Sequence, residues 1–156
     1  MQTFLPYASF LESARVLDDK RLGKQRAETL QVLRGLTRVK YGWRNHPAVK
    51  MWHGYPEALV RYGLDMCAVW EERGFADTVA ATLIEDYAAY RGESAENVTI
   101  RTQQQLERII AVPPWLGNEE FHLSHRSSLL AKDPDFYGPV FGDIPADLPY
   151  VWPVPA

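Results

Sequence analysis

A single cysteine, Cys67, stands in this chain of 156 residues, so no internal disulfide can form and a reducing cytoplasm is the expected setting. No apolar run reaches the ~18 residues that a membrane-spanning helix needs. The opening MQTFLPYASF has neither the basic start nor the apolar core of a secretory leader. Membrane spanning and secretion are therefore not expected. The phosphate-cradling patterns GxGxxG and GxxxxGKS/T are missing, as are the esterase elbow GxSxG and the zinc pattern HExxH. Nucleotide-phosphate loops and the esterase triad thus have no support.

What is present is the composition of an ordinary globular domain, with 46% hydrophobic and 24% charged residues. The net charge of −3 conceals an asymmetry. Residues 1–60 carry ten Lys/Arg against five Asp/Glu, whereas residues 61–156 carry seven against fifteen. A basic first third suits either a solvated surface or a face turned towards a polyanion.

Helix signals run through most of the chain. Ser9 followed by Glu12 caps a short helix over residues 10–18. Asp18 and Asp19 open KRLGKQRAETLQVLRGL, which ends near Gly35. Pro47 starts a short helix containing Met51 and Trp52 and stopped by Gly54, and Pro56 starts PEALVRYGLDMCAVWEER, stopped by Gly74. Cys67 lies on the apolar stripe of the latter, as a buried thiol does. Asp77 or Thr78 begins a helix through Tyr90 closed by Gly92, and residues 103–111 and 119–131 complete the set. From Asp133 onward six prolines punctuate an aromatic-rich segment, read as extended chain wrapping the surface. Strand signal amounts at most to residues 2–5. The expectation is one all-α domain over residues 1–156, with residues 133–156 as an extended tail packed on it.

The second helix carries two stripes. Leu22, Thr29, Leu33 and Leu36 form the core side. Arg21, Lys24, Gln25, Glu28 and Gln31 gather on another, one carboxylate among two cations and two amides. Facing a cleft, Glu28 can act as a base or stabilise a developing cation, while the cations and amides hold phosphates or base edges. Facing solvent, Lys24 and Glu28 make an i,i+4 pair worth only ~0.3–0.5 kcal/mol. Arg44, Asn45 and His46 precede Pro47, either as caps or as groups aimed at a ligand. His122 and His125 have the i,i+3 spacing of metal ligands but no cysteine or carboxylate partner, so no metal is expected. The tryptophans Trp43, Trp52, Trp70, Trp115 and Trp152 are read as core or tail anchors, with Trp152, in LPYVWP, a candidate stacking platform.

Beyond these local signals, ARVLDDKRLGKQRAETLQVL resembles the first long helix of the pyrimidine-dimer DNA glycosylases, the phage endonuclease V family. In the same order, NHPAVKMW is similar to an HPxxxxW stretch of relatives, MCAVWEERGFADT to the family's Cys-containing helix ending in RGF, and SLLAKDPDFYG to its closing helix. The resemblance implies a compact helical monomer that acts on DNA without a cofactor. It removes a damaged base and then nicks the abasic strand, as both hydrolase and AP lyase. It also implies an N-terminal α-amine nucleophile, here at Met1, with Glu28 as the assisting glutamate and with Arg21 and Gln31 at positions where the family has basic residues. An α-amine with an ordinary pKa of 7.7–8.0 is partly a neutral nucleophile at physiological pH, whereas lysine, near 10.4, is not. The sequence departs from the family pattern at its start (Met1, Gln2, Thr3) and at Ala27, where an arginine adjoins the family's glutamate. Expected DNA contacts are Arg21, Lys24, Gln25, Arg26, Gln31, Arg44, Asn45, His46, His125, Arg126 and Trp152. The competing readings are a non-catalytic DNA- or polyanion-binding module of the same fold, and a helical protein-interaction domain.

Overall fold

The computed structural model describes residues 1–153. Among them are eight helices and no strand: α1 Phe10–Val16, α2 Asp19–Thr37, α3 Pro47–Lys50, α4 Pro56–Glu72, α5 Val79–Arg91, α6 Gln103–Arg108, α7 Glu119–Lys132 and α8 Pro134–Phe141. The caps explain most boundaries. Ser9 Oγ accepts from Glu12 N, and an Asp18 carboxylate oxygen accepts from Arg21 N, so α1 and α2 begin where the local chemistry places them. For α5 the capping side chain is Asp77, which accepts from the N–H groups of Val79 and Ala80, although Thr78 holds the cap position. Gly92, at φ 72°, ends that helix in the left-handed conformation that lacks a Cβ penalty.

The centre is the crossing of α2 with α4, with α5 laid against both. The backbones approach closely at Gly63. A Cβ there would stand 2.5 Å from Thr29 Cγ2 and 2.8 Å from Leu83 Cδ1, closer than any real contact. Leu22, Thr29 and Leu33 of the expected core stripe are fully buried and Leu36 partly so, while Cys67 is buried as its position on the apolar stripe implies. Burial and the neighbouring Asp77 carboxylate push the Cys67 thiol far above its usual range, which makes it inert.

Four elements differ from the sequence expectation. α3 ends at Lys50, so Met51 and Trp52 follow it in a turn. Residues 2–5 are extended but pair with no strand. α6 ends at Arg108, with Ala111 N donating back to Leu106 O. The segment from Asp133, expected to be extended, instead forms α8. Pro134 occupies the first helical position, where a missing N–H costs nothing, and Asp133 accepts from Phe136 N. Tyr137 and Phe141 bury the inner face of α8, and Tyr137 exchanges hydrogen bonds with Asp18 at the start of α2. After Phe141 the chain runs through turns as far as residue 147, with Ile144 N donating to Phe141 O, and residues 148–153 lack helix and turn; residues 154–156 of the expected tail lie outside the described residues. No helix among the described residues is long and apolar enough to cross a membrane.

Candidate active site

The N-terminal arm is threaded through the molecule, and almost every backbone group on it meets a side chain. Gln2 N donates to Glu28 Oε2 at 3.0 Å, Phe4 N to Gln25 Oε1 at 2.7 Å, and Leu5 N to His125 Nδ1 at 2.9 Å. Phe4 O accepts from the Tyr62 hydroxyl at 2.8 Å, and Pro6 O from Arg126 at 2.7 Å. Thr3 Oγ1 accepts from the Trp52 indole at 3.0 Å. Because His122 Nε2 accepts from Gly117 N, its Nδ1 carries the hydrogen and donates to Leu5 O at 2.8 Å. The i,i+3 histidines, which have the spacing of metal ligands, therefore clamp the two backbone groups of one residue, Leu5, on this arm. Side chains perform the pairing that a neighbouring strand would, since buried backbone polar groups must find partners.

Glu28 is the point at which the arm meets α2. Its side chain belongs to a residue only 7% exposed. Oε2 accepts from Gln2 N and, at 3.1 Å, from Gln25 Nε2, while Oε1 lies 3.7 Å from Lys24 Nζ. Gln25 Oε1 in turn accepts from Phe4 N and lies 2.8 Å from the Tyr62 hydroxyl, whose one hydrogen is shared between it and Phe4 O. One glutamine thus couples the arm, α2 and α4. Glu28 opens onto a cleft of about 170 Å³ whose rim holds Lys20, Arg21, Lys24 and Lys132. Four cations around one carboxylate make a setting for phosphate oxygens beside an acid–base group. Arg21 is oriented by Asp18 at 3.2 Å and Asp133 at 3.9 Å. A larger cavity, about 570 Å³, lies elsewhere against Arg61, Asp65 and Gln103. Size does not decide between the two, because the Glu28 cleft joins the N-terminal arm at Gln2 to a carboxylate and a ring of cations, and the larger one does not.

On one side of this cleft stands His46, the cap of α3. Its Nδ1 accepts from Ala48 N at 3.0 Å, which leaves the hydrogen on Nε2. Burial, reinforced by the positive N-terminus, lowers its pKa, and Glu28 opposes the shift. The three groups are therefore electrostatic neighbours. Trp43 and Trp152 each meet the His46 ring edge-on at 5.8 Å. Trp152 arrives on the C-terminal segment, which is fastened to α7 by Leu148 N donating to Ser127 Oγ and Val151 N to Ser124 Oγ, both at 3.1 Å. Tyr150, on the same segment, stacks on His125 at 4.7 Å.

The expected site residues thus divide. Glu28, the Met1 end of the arm, Arg21, Lys24, Gln25, His46 and Trp152 lie in and around one region. Gln31 sits one turn beyond Glu28, half-buried. Arg26 faces away, paired with Asp77 and lying 4.4 Å over the Trp70 ring. His125 is 1% exposed with its ring held neutral by burial, its pKa lowered to about 3. It and Arg126, which also pairs with Glu119, are engaged with the arm rather than offered to the surface. Arg44 and Asn45 are exposed on the 38–46 loop. Sequence reasoning missed Lys20, Lys132, Tyr62 and Tyr150. Lys20 had a readable signal, standing four residues before Lys24 on the same helical face; the other three come from distant parts of the chain.

Comparison with known proteins adds one finding. The family model described as pyrimidine dimer DNA glycosylase matches residues 1–83, a stretch holding the arm, α1 to α4 and the start of α5. The ARVLDDKRLGKQRAETLQVL, NHPAVKMW and RGF segments all fall inside it, and SLLAKDPDFYG falls outside. No curated protein and no solved structure matches the chain. With more than half of its residues matched, including the cleft-forming face of α2, the chain belongs to the pyrimidine dimer DNA glycosylase family.

Proposed function

We propose that this DNA-repair glycosylase releases a damaged base by attack of the Met1 α-amine on C1′ of the nucleotide, with Glu28 assisting, and then nicks the abasic strand. In this scheme the neutral amine forms a bond to C1′ as the glycosidic bond breaks, and the base leaves with the electron pair and takes up a proton. The nitrogen then loses its protons as the sugar ring opens to an imine, with O4′ protonated. Removal of a C2′ proton expels the 3′ phosphate. Glu28 fits two steps: its charge stabilises the cationic sugar, and it accepts and returns protons beside the amine. Lys20, Lys24, Arg21 and Lys132 neutralise the flanking phosphates, and displacing the nucleotide from the stack costs a few kcal/mol.

One observation carries this reading: Gln2 N donates to Glu28. The Met1 amine is three bonds further along the chain, so backbone dimensions hold it within about 7 Å of the carboxylate. The competing non-catalytic reading also has a specific support, because the same hydrogen bonds give Glu28 a structural occupation. Borohydride trapping on an oligonucleotide with an abasic site separates them. A covalent complex located by mass spectrometry on the N-terminal peptide, lost on acetylating the amine, supports the imine. Glu28→Gln should keep the shape and the arm contacts, lower turnover by several orders and leave melting unchanged. Wild-type turnover by Glu28→Gln, or an adduct on Lys24, would overturn the assignment.

A further inference from the structure

Of the five tryptophans, Trp52 and Trp115 are buried, Trp70 and Trp152 half-buried, and Trp43 is 48% exposed. The sequence reading of Trp43 as a core or tail anchor is thereby corrected. It lies on the 38–46 loop, RVKYGWRNH, which carries Arg38, Lys40 and Arg44, and no acidic residue occurs between Glu28 and Glu57. Val39 is also exposed. The loop is nonetheless ordered. Arg44 donates through its guanidinium to Val39 O at 2.7 Å and through its N–H to Tyr41 O at 3.1 Å, and His46 N donates to Trp43 O at 2.9 Å. A large indole is thus held out on a turn fixed by these bonds, on a loop that also carries Lys40 and Arg44, and it meets edge-on at 5.8 Å the His46 ring that feels the Glu28 charge. Leaving such a ring half in water forgoes the burial that tryptophan usually obtains, and an ordered presentation removes part of the entropy lost on docking.

We propose that the 38–46 loop enters the DNA duplex at the lesion, with Trp43 stacking on the bases where the displaced nucleotide leaves a gap. The inference rests on the glycosylase reading and adds to it an element for recognising distorted DNA. Duplex DNA is the occupant favoured by charge: Arg38 is paired with Asp86, but Lys40 and Arg44 on the same exposed loop are two cations for phosphates within three residues of one flat apolar ring, the combination by which apolar wedges and stacking platforms engage nucleic acid. An acidic protein partner would use the cations but leave the gap-filling geometry without purpose.

The test uses the full chain and two duplexes of one sequence, one intact and one with a tetrahydrofuran abasic analogue, which cannot react. Trp43→Ala should weaken binding to the tetrahydrofuran duplex by roughly 5- to 150-fold, the range of one lost base–aromatic stack. Affinity for intact duplex and the melting temperature should stay near wild type, and Trp43→Phe should restore most of the loss. Quenching of tryptophan fluorescence on binding the tetrahydrofuran duplex should shrink in both variants. Equal binding by wild type and Trp43→Ala, or an equal loss on both duplexes, would overturn the wedge while leaving the glycosylase reading intact. A wild-type protein that does not distinguish the two duplexes would overturn both.

Discussion

Removing the side chain of Gln25 tests the idea that one buried amide fixes the N-terminal arm to the acid–base centre. Gln25 is buried and makes three contacts at once: Phe4 N at 2.7 Å, the Tyr62 hydroxyl at 2.8 Å and Glu28 Oε2 at 3.1 Å. In Gln25→Ala, Tyr62 keeps Phe4 O as its acceptor and loses little. Phe4 N–H becomes an orphaned buried donor, at a cost of about 1–3 kcal/mol, and Glu28 loses a hydrogen bond to a charged acceptor worth about 1.5–3 kcal/mol. The expected loss is therefore about 2.5–6 kcal/mol, a large fraction of the stability of a domain this size. Urea unfolding should show a lower midpoint with an unchanged slope. Hydrogen exchange should show the amides of Gln2 and Phe4 opening before the α2–α4 core. Turnover should fall further than the stability loss alone explains under folded conditions, because the amine is no longer held beside Glu28. A loss below about 1 kcal/mol, or amides on the arm still protected as in wild type, would refute the clamp.

Two further outcomes follow from the same geometry. His125 is held neutral down to about 3 and His122 is shifted the same way by burial. The unfolded chain takes up protons near pH 6.5 that these folded rings refuse, so stability is fully present above that pH and falls as pH drops. His125 alone should remove about 2 kcal/mol between pH 6.5 and 5, before the ion-paired Asp18, Glu57 and Asp77 begin to titrate; denaturant unfolding across that range should slope accordingly, and a flat profile would refute it. Second, Lys20→Ala, Lys24→Ala and Lys132→Ala should each reduce the slope of log K against log salt by about 0.9 for duplex DNA. Unchanged slopes in all three would remove the cationic rim from the DNA interface.

Much of this molecule was legible residue by residue because its determinants are local. The caps at Ser9 and Asp18, the stop at Gly92 and the stripe joining Arg21, Lys24, Gln25 and Glu28 all depend on neighbours one to four positions away, the distance over which helix geometry is known in advance. The failure at α8 was of a different kind. Prolines signal a break in regular structure, but Pro134 stands where a helix tolerates it, and the burial of Tyr137 against Asp18, 119 residues away, gives the segment a reason to be helical. Trp43 was misread because burial outside a periodic element leaves no trace in spacing.

The sequence by itself determined the helices before α8, the acid-free basic loop and the presence of a glutamate among cations on one helical face, since each follows from side-chain identity and local helix geometry. Only the tertiary structure decided what those groups face. Lys132 reaches the Glu28 cleft from the end of α7, and Tyr62 from α4 secures Gln25. His122 and His125, separated from Leu5 by 117 and 120 positions, fasten the arm that brings the Met1 end to Glu28. Contacts across such separations are selected by the packing of whole helices, through burial that is not directional and hydrogen bonds that must be satisfied once water is gone.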